Sequence, residues 1–123
     1  MENSLYSDLT YRIIGCAMEV HKELGDGFLE KIYENALIIA LKENCLNASV
    51  QKPLKVKFHN QVVGDYFADI IVEDKVIIEL KAISMILDEH RAQIINYLKA
   101  TGIRVGLLIN FGSKSLEYER FIK

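Results

Sequence analysis

Three charged residues interrupt two of the most apolar segments of the chain, and their types suit metal-assisted chemistry. Asp69 lies within the apolar run at residues 68–72, and Glu79 and Lys81 lie within a second apolar run at residues 76–82. A charged side chain inside so apolar a strand costs several kcal/mol unless it is paired or bound to a metal ion. These three residues are therefore the first candidates for a functional site.

The spacing of the three residues predicts whether their side chains can meet. Glu79 and Lys81 are two residues apart, so they share one face of a strand. If residues 73–75 form a three-residue turn, Asp69 lies directly opposite Glu79, with β-carbons roughly 5 Å apart. A two-residue turn would instead place the two carboxylates on opposite faces, unless a β-bulge restored the parity.

Two carboxylates at this separation can hold one divalent cation that prefers oxygen ligands, such as Mg²⁺ or Mn²⁺. Such an ion makes a water ligand acidic enough to act as a nucleophile. Lys81 could orient that water or stabilise negative charge on a phosphorane. The alternative is a buried salt bridge between Lys81 and one carboxylate, and the isolated trio favours neither interpretation.

Periodicity places the trio in the middle of an α/β fold, with a central mixed sheet flanked by helices. Apolar positions at helical spacing predict two helices at residues 9–24 and 29–44, and a later helix at residues 87–100. Alternating and apolar runs predict the strands, with Pro53 at the start of the first and a hairpin turn at residues 60–61. The later strands are expected at residues 62–72, 76–82, 104–110 and 116–121. The expected order is ααβββαββ.

Length and composition set broad limits on the function. A chain of 123 residues fits one domain, which we expect to span residues 1–123. The net charge of −2 argues against a module that holds nucleic acid by charge alone. Cys16 and Cys45 have no metal-ligand spacing and are predicted to be buried thiols on helices. With no membrane-spanning apolar run and no secretory signal pattern, we expect a cytoplasmic protein.

Several segments resemble motifs of a known superfamily. Asp69 followed by Glu79-x-Lys81 resembles the core motif of the PD-(D/E)XK nucleases, with Ala68 in place of the proline. Residues 93–97 are similar to the Q-x-x-x-Y motif of the RecB-like branch. Residues 27–33 match the pattern that names the GxxExxY proteins, and residues 106–112 resemble the late strand of that group. The resemblance extends over roughly residues 9–122.

The resemblance implies a restriction-endonuclease-like fold and Mg²⁺-dependent (or Mn²⁺-dependent) hydrolysis of nucleic acid, with DNA as the expected substrate. In the superfamily, the residues that match Asp69 and Glu79 ligate the metal ion, often with the carbonyl of the next residue, here Leu80. The residue that matches Lys81 assists the water. A glutamate on the first core helix, here Glu30, completes or orients the metal site.

The resemblance also assigns roles on the later helix, where Gln93 and Tyr97 are expected to line the site and contact metal-bound water or the substrate. His90 shares their helical face at spacings of three and seven residues and could contact a phosphate. A solvated histidine is the more common outcome at such a position. Without the resemblance, Glu30 is better explained as a carboxylate favoured by the helix dipole, and Tyr33 is expected in the core.

Two functions of different classes follow. The first is a metal-dependent nuclease that binds nucleic acid and no membrane. The second is a catalytically inactive module that keeps the nuclease fold for nucleic-acid or protein binding, which the small size and the acidic balance favour somewhat. A homodimer is one way in which so small a domain could hold a duplex.

Overall fold

The computed structural model describes residues 4–123, which form three helices and five strands in the order ααβββαββ. This order confirms the prediction from the sequence. No helix in the described residues is long and apolar enough to cross a membrane. The elements are α1 (Ser7–Leu24), α2 (Glu30–Glu43), β1 (Ala48–Phe58), β2 (Gln61–Val72), β3 (Val76–Lys81), α3 (Asp88–Thr101), β4 (Val105–Asn110) and β5 (Glu117–Ile122).

The five strands form one mixed sheet in the order β1–β2–β3–β4–β5. β3 and β4 are parallel and are joined by α3, because parallel neighbours need a crossover connection. The other neighbouring strands are antiparallel. Every residue of β3 pairs with β4, whereas only residues 76–78 pair with β2. β2 and β3 therefore separate beyond these pairs.

Side chains alternate between the two faces of the sheet, and helices cover both faces. Ile78 packs in the core cluster that contains the inner sides of α1 and α2. Its neighbour Ile77 packs against Leu98 of α3. Because side chains on a strand alternate, Glu79 and Lys81 follow Ile77 and lie on the α3 side of the sheet.

The loop between α1 and α2 is held by a buried tyrosine. The Tyr33 hydroxyl donates a hydrogen bond to the Gly25 carbonyl and accepts one from the Phe28 N–H. Its ring stacks on Phe111, with 4.9 Å between the ring centroids. Tyr33 is fully buried, which confirms its prediction as a core residue. These contacts fix the start of α2, where Glu30 lies.

Three details of the sequence prediction were wrong. The β1–β2 turn lies at residues 59–60, because His59 and Asn60 both have the positive φ that a two-residue turn requires. β1 begins at Ala48, well before Pro53, and the proline is tolerated because β1 is an edge strand. Cys16 is buried, but Cys45 is exposed because α2 ends before it.

Candidate active site

The β2–β3 hairpin has the register that the sequence predicted. Val72 pairs with Val76 across the turn at residues 73–75, and the ladder continues to the pair of Ile70 and Ile78. One further step places Asp69 opposite Glu79. The three-residue turn is thus confirmed.

Asp69 lies where the two strands separate. Its Oδ2 accepts a hydrogen bond of 2.9 Å from the Leu80 N–H of β3. In an extended strand, the N–H and the C=O of one residue point to the same side. The Leu80 carbonyl therefore faces β2 as well, so three oxygen-bearing groups from Asp69, Glu79 and Leu80 lie around this gap.

Glu79 is a buried carboxylate with a single hydrogen-bonding side chain beside it. It is 7% exposed, and the Tyr66 hydroxyl donates a hydrogen bond to its Oε1. The pKa of Glu79 is raised to about 7, mainly by burial and to a smaller extent by the negative charges of Asp69 and Glu30. The Tyr66 hydrogen bond and the positive charge of Lys81 act in the opposite direction. Two carboxylates, Asp69 and Glu30, and one ammonium group, Lys81, thus act on the charge of Glu79.

Glu30 at the start of α2 belongs to the same electrostatic cluster. It is exposed, and its pKa is raised by desolvation and by the charges of Asp69 and Glu34, while Lys81 lowers it. The charges of Asp69 and Lys81 thus affect the pKa of Glu30. Asp69, Lys81 and Glu30 also lie close enough to Glu79 to affect its pKa, so the four residues form one electrostatic cluster.

The Q-x-x-x-Y segment reaches the hairpin through a second tyrosine. Gln93 Nε2 donates a hydrogen bond of 2.6 Å to the Tyr97 hydroxyl. The Tyr97 ring stacks on the Tyr66 ring, with 3.6 Å between centroids and 19° between planes. Burial and the charge of Glu79 raise the pKa of Tyr97, so its hydroxyl stays protonated. Tyr97 therefore lies next to the residue that contacts Glu79, and Gln93 lies one helical turn earlier.

An open pocket of about 580 Å³ lies between the end of β3 and the first turns of α3. Its lining includes Lys81 from the hairpin and His90 and Gln93 from the helix. His90 also has a structural role, because its Nδ1 accepts a hydrogen bond of 3.0 Å from the Leu87 N–H at the start of α3. A substrate bound in this pocket would contact Lys81.

The donor groups fit a hard divalent cation that keeps several water ligands. Among residues 4–123, no three His, Cys, Asp or Glu side chains converge closely enough to enclose a metal ion by themselves. Mg²⁺ typically uses one or two carboxylates and completes its coordination with water and substrate oxygens. Asp69, Glu79 and the Leu80 carbonyl supply such a partial set, and a cation would offset the excess negative charge around Glu79.

Sequence reasoning missed Tyr66 and Glu34. A strict period of two from Asp69 would place Tyr66 on the other face of β2, but the β1–β2 ladder has no pair at Asp69, and the residue facing it, Gln51, has a positive φ of 52°. Ala68 and Ile71 consequently pack in the same cluster although they are three residues apart.

Glu34 lies one helical turn after Glu30 and is buried. Its Oε1 is 3.5 Å from Lys31 Nζ and has no hydrogen-bond partner among the described residues. The four-residue spacing from Glu30 was the signal available in the sequence, because residues at this spacing share a helical face. Glu34 adds negative charge beside Glu30.

Comparisons with known proteins identify the superfamily and the fold. The sequence profile described as the PD-(D/E)XK nuclease superfamily matches residues 7–121. A solved structure titled "Crystal structure of SSO0001" is similar with a TM-score of 0.59 and 20% identity, over 76% of this chain and 49% of that chain. The present chain thus spans about half the length of that protein, and the likeness concerns the fold. No curated protein in the comparison matches the chain.

Proposed function

Because the chain belongs to the PD-(D/E)XK nuclease superfamily, we propose that it is a nuclease that hydrolyses phosphodiester bonds of DNA with the help of a divalent cation. The observation that carries the proposal is the position of Asp69. Its carboxylate lies in the gap between β2 and β3, beside the Leu80 N–H and the buried Glu79. Two carboxylates lie where the pairing of β2 and β3 ends, and Lys81 lies on the same strand as Glu79. This arrangement suits cation-assisted hydrolysis of a phosphodiester.

Asp69, Glu79 and the Leu80 carbonyl would hold Mg²⁺ or Mn²⁺, and Glu30 would complete or orient the site from α2. When bound, the cation supplies Lewis acidity that activates water and offsets phosphate charge. Without the cation, the carboxylates repel a phosphate backbone. Binding of DNA near Lys81 is therefore expected to depend on the cation.

The remaining side chains bind and orient. Lys81 is half-buried at the edge of the pocket, where its ammonium can donate to a phosphate oxygen and align the attacking water. Tyr66 fixes Glu79 through its hydroxyl. Gln93 and His90 line the pocket and would contact the substrate. Tyr97 stacks on the Tyr66 ring and would hold Tyr66 against Glu79.

A non-catalytic module with the same fold is the second candidate function, and two observations favour it. Both carboxylates accept hydrogen bonds from the protein itself, Asp69 from the Leu80 N–H and Glu79 from the Tyr66 hydroxyl. A site that is satisfied in this way can persist as a structural cluster. The net charge of −2 is also modest support for a role other than gripping a duplex.

A cleavage assay with labelled single-stranded and double-stranded DNA separates the two functions. We expect cleavage in Mg²⁺ or Mn²⁺, none in chelator, and a residual rate about 100- to 1,000-fold below the wild type in Lys81→Ala. Lys22→Ala, a change at an exposed lysine on α1, serves as the matched control and should cleave normally. Calorimetry measures cation binding by the wild type and by Asp69→Ala. Absence of both binding and cleavage at millimolar cation would refute the nuclease proposal, and cation-independent DNA binding would favour the module.

A further inference from the structure

Asn110, the last residue of β4, is a polar side chain with no exposed surface. Its Oδ1 accepts hydrogen bonds from the Ile83 N–H at 2.9 Å and the Gly112 N–H at 3.0 Å. Its Nδ2 donates to the Ile83 carbonyl at 2.9 Å and to Glu117 Oε1 at 2.8 Å. Both protons and both acceptor positions of the amide are therefore used, which only asparagine can do in this space.

These hydrogen bonds fix the segment that leads from β3 to α3. The Asn110 side chain hydrogen-bonds to both the N–H and the C=O of Ile83. Glu117 accepts a further hydrogen bond of 3.3 Å from the Ile86 N–H. The Lys81 carbonyl accepts a hydrogen bond of 2.8 Å from the Phe111 N–H. Hydrogen bonds from residues 110 and 111 thus hold the segment on both sides of residue 82, at Lys81 and at Ile83.

Gly112 shows how closely the two segments approach each other. A β-carbon at this position would lie 2.3 Å from the Ile83 nitrogen and oxygen and 2.5 Å from the Ala82 carbonyl carbon. These are backbone atoms, which cannot move aside as a flexible side chain can. The β4–β5 connection therefore packs directly against the backbone of the segment after Lys81.

We propose that Asn110 is a positioning residue for Lys81, and this role rests on the proposed nuclease function. Lys81 is followed directly by the segment that Asn110 holds, and the same segment sets the start of α3, which carries His90 and Gln93 to the other side of the pocket. One buried amide thus fixes the separation of the two walls of the pocket. This gives a physical role to the asparagine and the glycine of residues 106–112.

The role predicts a specific coupling between two residues. Misplacement of a catalytic group by about 1 Å can lower a rate by about 100-fold, so Asn110→Ala should lower the cleavage rate by that order. In the Lys81→Ala background, the same change should cost less than about threefold, because there is no lysine left to misplace. A general structural role would lower the rate by the same factor in both backgrounds, and that result would overturn the proposal.

A second measurement does not need nuclease activity. Acylation of lysines by an amine-reactive reagent, followed by mass spectrometry, reports how accessible each lysine is. We expect half-buried Lys81 to react several-fold faster in Asn110→Ala than in the wild type, while exposed Lys22 reacts at an unchanged rate. Unchanged Lys81 reactivity in a folded variant would overturn the proposal. Faster Lys81 reactivity in a protein that never cleaves DNA would refute the nuclease function and leave the positioning role in place.

Asn110→Asp covers the case in which Asn110→Ala does not fold. It keeps the size of the side chain but cannot donate to the Ile83 carbonyl, and it places a carboxylate against Glu117. The same increase in Lys81 reactivity is expected, judged only while circular dichroism shows the native fold. Asn35→Asp, the same chemical change at an exposed position of α2, is the matched control and should leave Lys81 reactivity unchanged.

Discussion

Replacement of Glu79 by glutamine should remove a loss of stability that the wild type shows as the pH rises. Glutamine keeps an oxygen that accepts the Tyr66 hydrogen bond, but it carries no charge. In the wild type, the pKa of Glu79 is raised from 4.5 to about 7, mainly by burial. The native state therefore holds a proton that the unfolded chain releases at lower pH.

The sign and the size of the effect follow from this difference. A raised carboxyl pKa means that the stability is fully present below the unfolded value of 4.5 and is lost as the pH rises through about 7. Each tenfold change in protonation equilibrium is worth about 1.4 kcal/mol. The wild type should therefore lose roughly 3 kcal/mol in free energy of unfolding between about pH 4.5 and about pH 8 that the Glu79→Gln variant keeps. Glu79 is 7% exposed, so solvent screening reduces this figure little.

The assay is urea unfolding in chelator at a series of pH values, compared between the two proteins, with Glu23→Gln on the exposed side of α1 as the control. Saturating Mg²⁺ at about pH 8 should restore wild-type stability by about 2.7 kcal/mol at a concentration 100 times the dissociation constant. It should not stabilise Glu79→Gln to the same extent. Equal pH dependence in the wild type and in Glu79→Gln would show that the burial argument for Glu79 is wrong.

Three further changes test the site and its frame. Asp69→Asn can still accept from the Leu80 N–H, so the fold should persist while calorimetry shows at least a tenfold loss of cation affinity; unchanged affinity would remove Asp69 from the metal site. Tyr66→Phe keeps the stack but removes a hydrogen bond that lowers the pKa of Glu79. Because Glu79 must be deprotonated to hold a cation, we expect cleavage to rise with pH in the wild type and this rise to move to higher pH in Tyr66→Phe; an unmoved profile would contradict this link. Gly112→Ala should lower the free energy of unfolding by about 1–3 kcal/mol, measured by urea denaturation, because its β-carbon meets backbone; a neutral effect would mean that the neighbouring loop is free to shift.

The sequence predicted the parts of the fold that depend on local pattern. The polar residues 73–75 between two apolar runs predicted a three-residue turn, and a turn of that length places Asp69 opposite Glu79. The order of helices and strands followed from periodicity in the same way. Which residues ligate a metal ion remains a prediction.

The parts that were missed depend on departures from regular geometry or on distant contacts. Tyr66 lies on the same face of β2 as Asp69 because the β1–β2 ladder is distorted at Gln51. Nothing in the local sequence predicts a positive φ at a glutamine. The role of Asn110 follows from contacts with Ile83, far from it in sequence. An asparagine at the end of an apolar strand is, in the sequence, indistinguishable from a turn residue.

The unequal pairing of β3 has a consequence for how the site adapts to an ion. β3 pairs with β4 along its entire length, but its other edge pairs with β2 only at residues 76–78. Glu79 and Lys81 therefore lie on a strand that is paired with β4 at every residue, whereas Asp69 lies just beyond the last β2–β3 pair. If Asp69 and Glu79 hold a cation as proposed, we expect Asp69 rather than Glu79 to move when the radius of the ion changes.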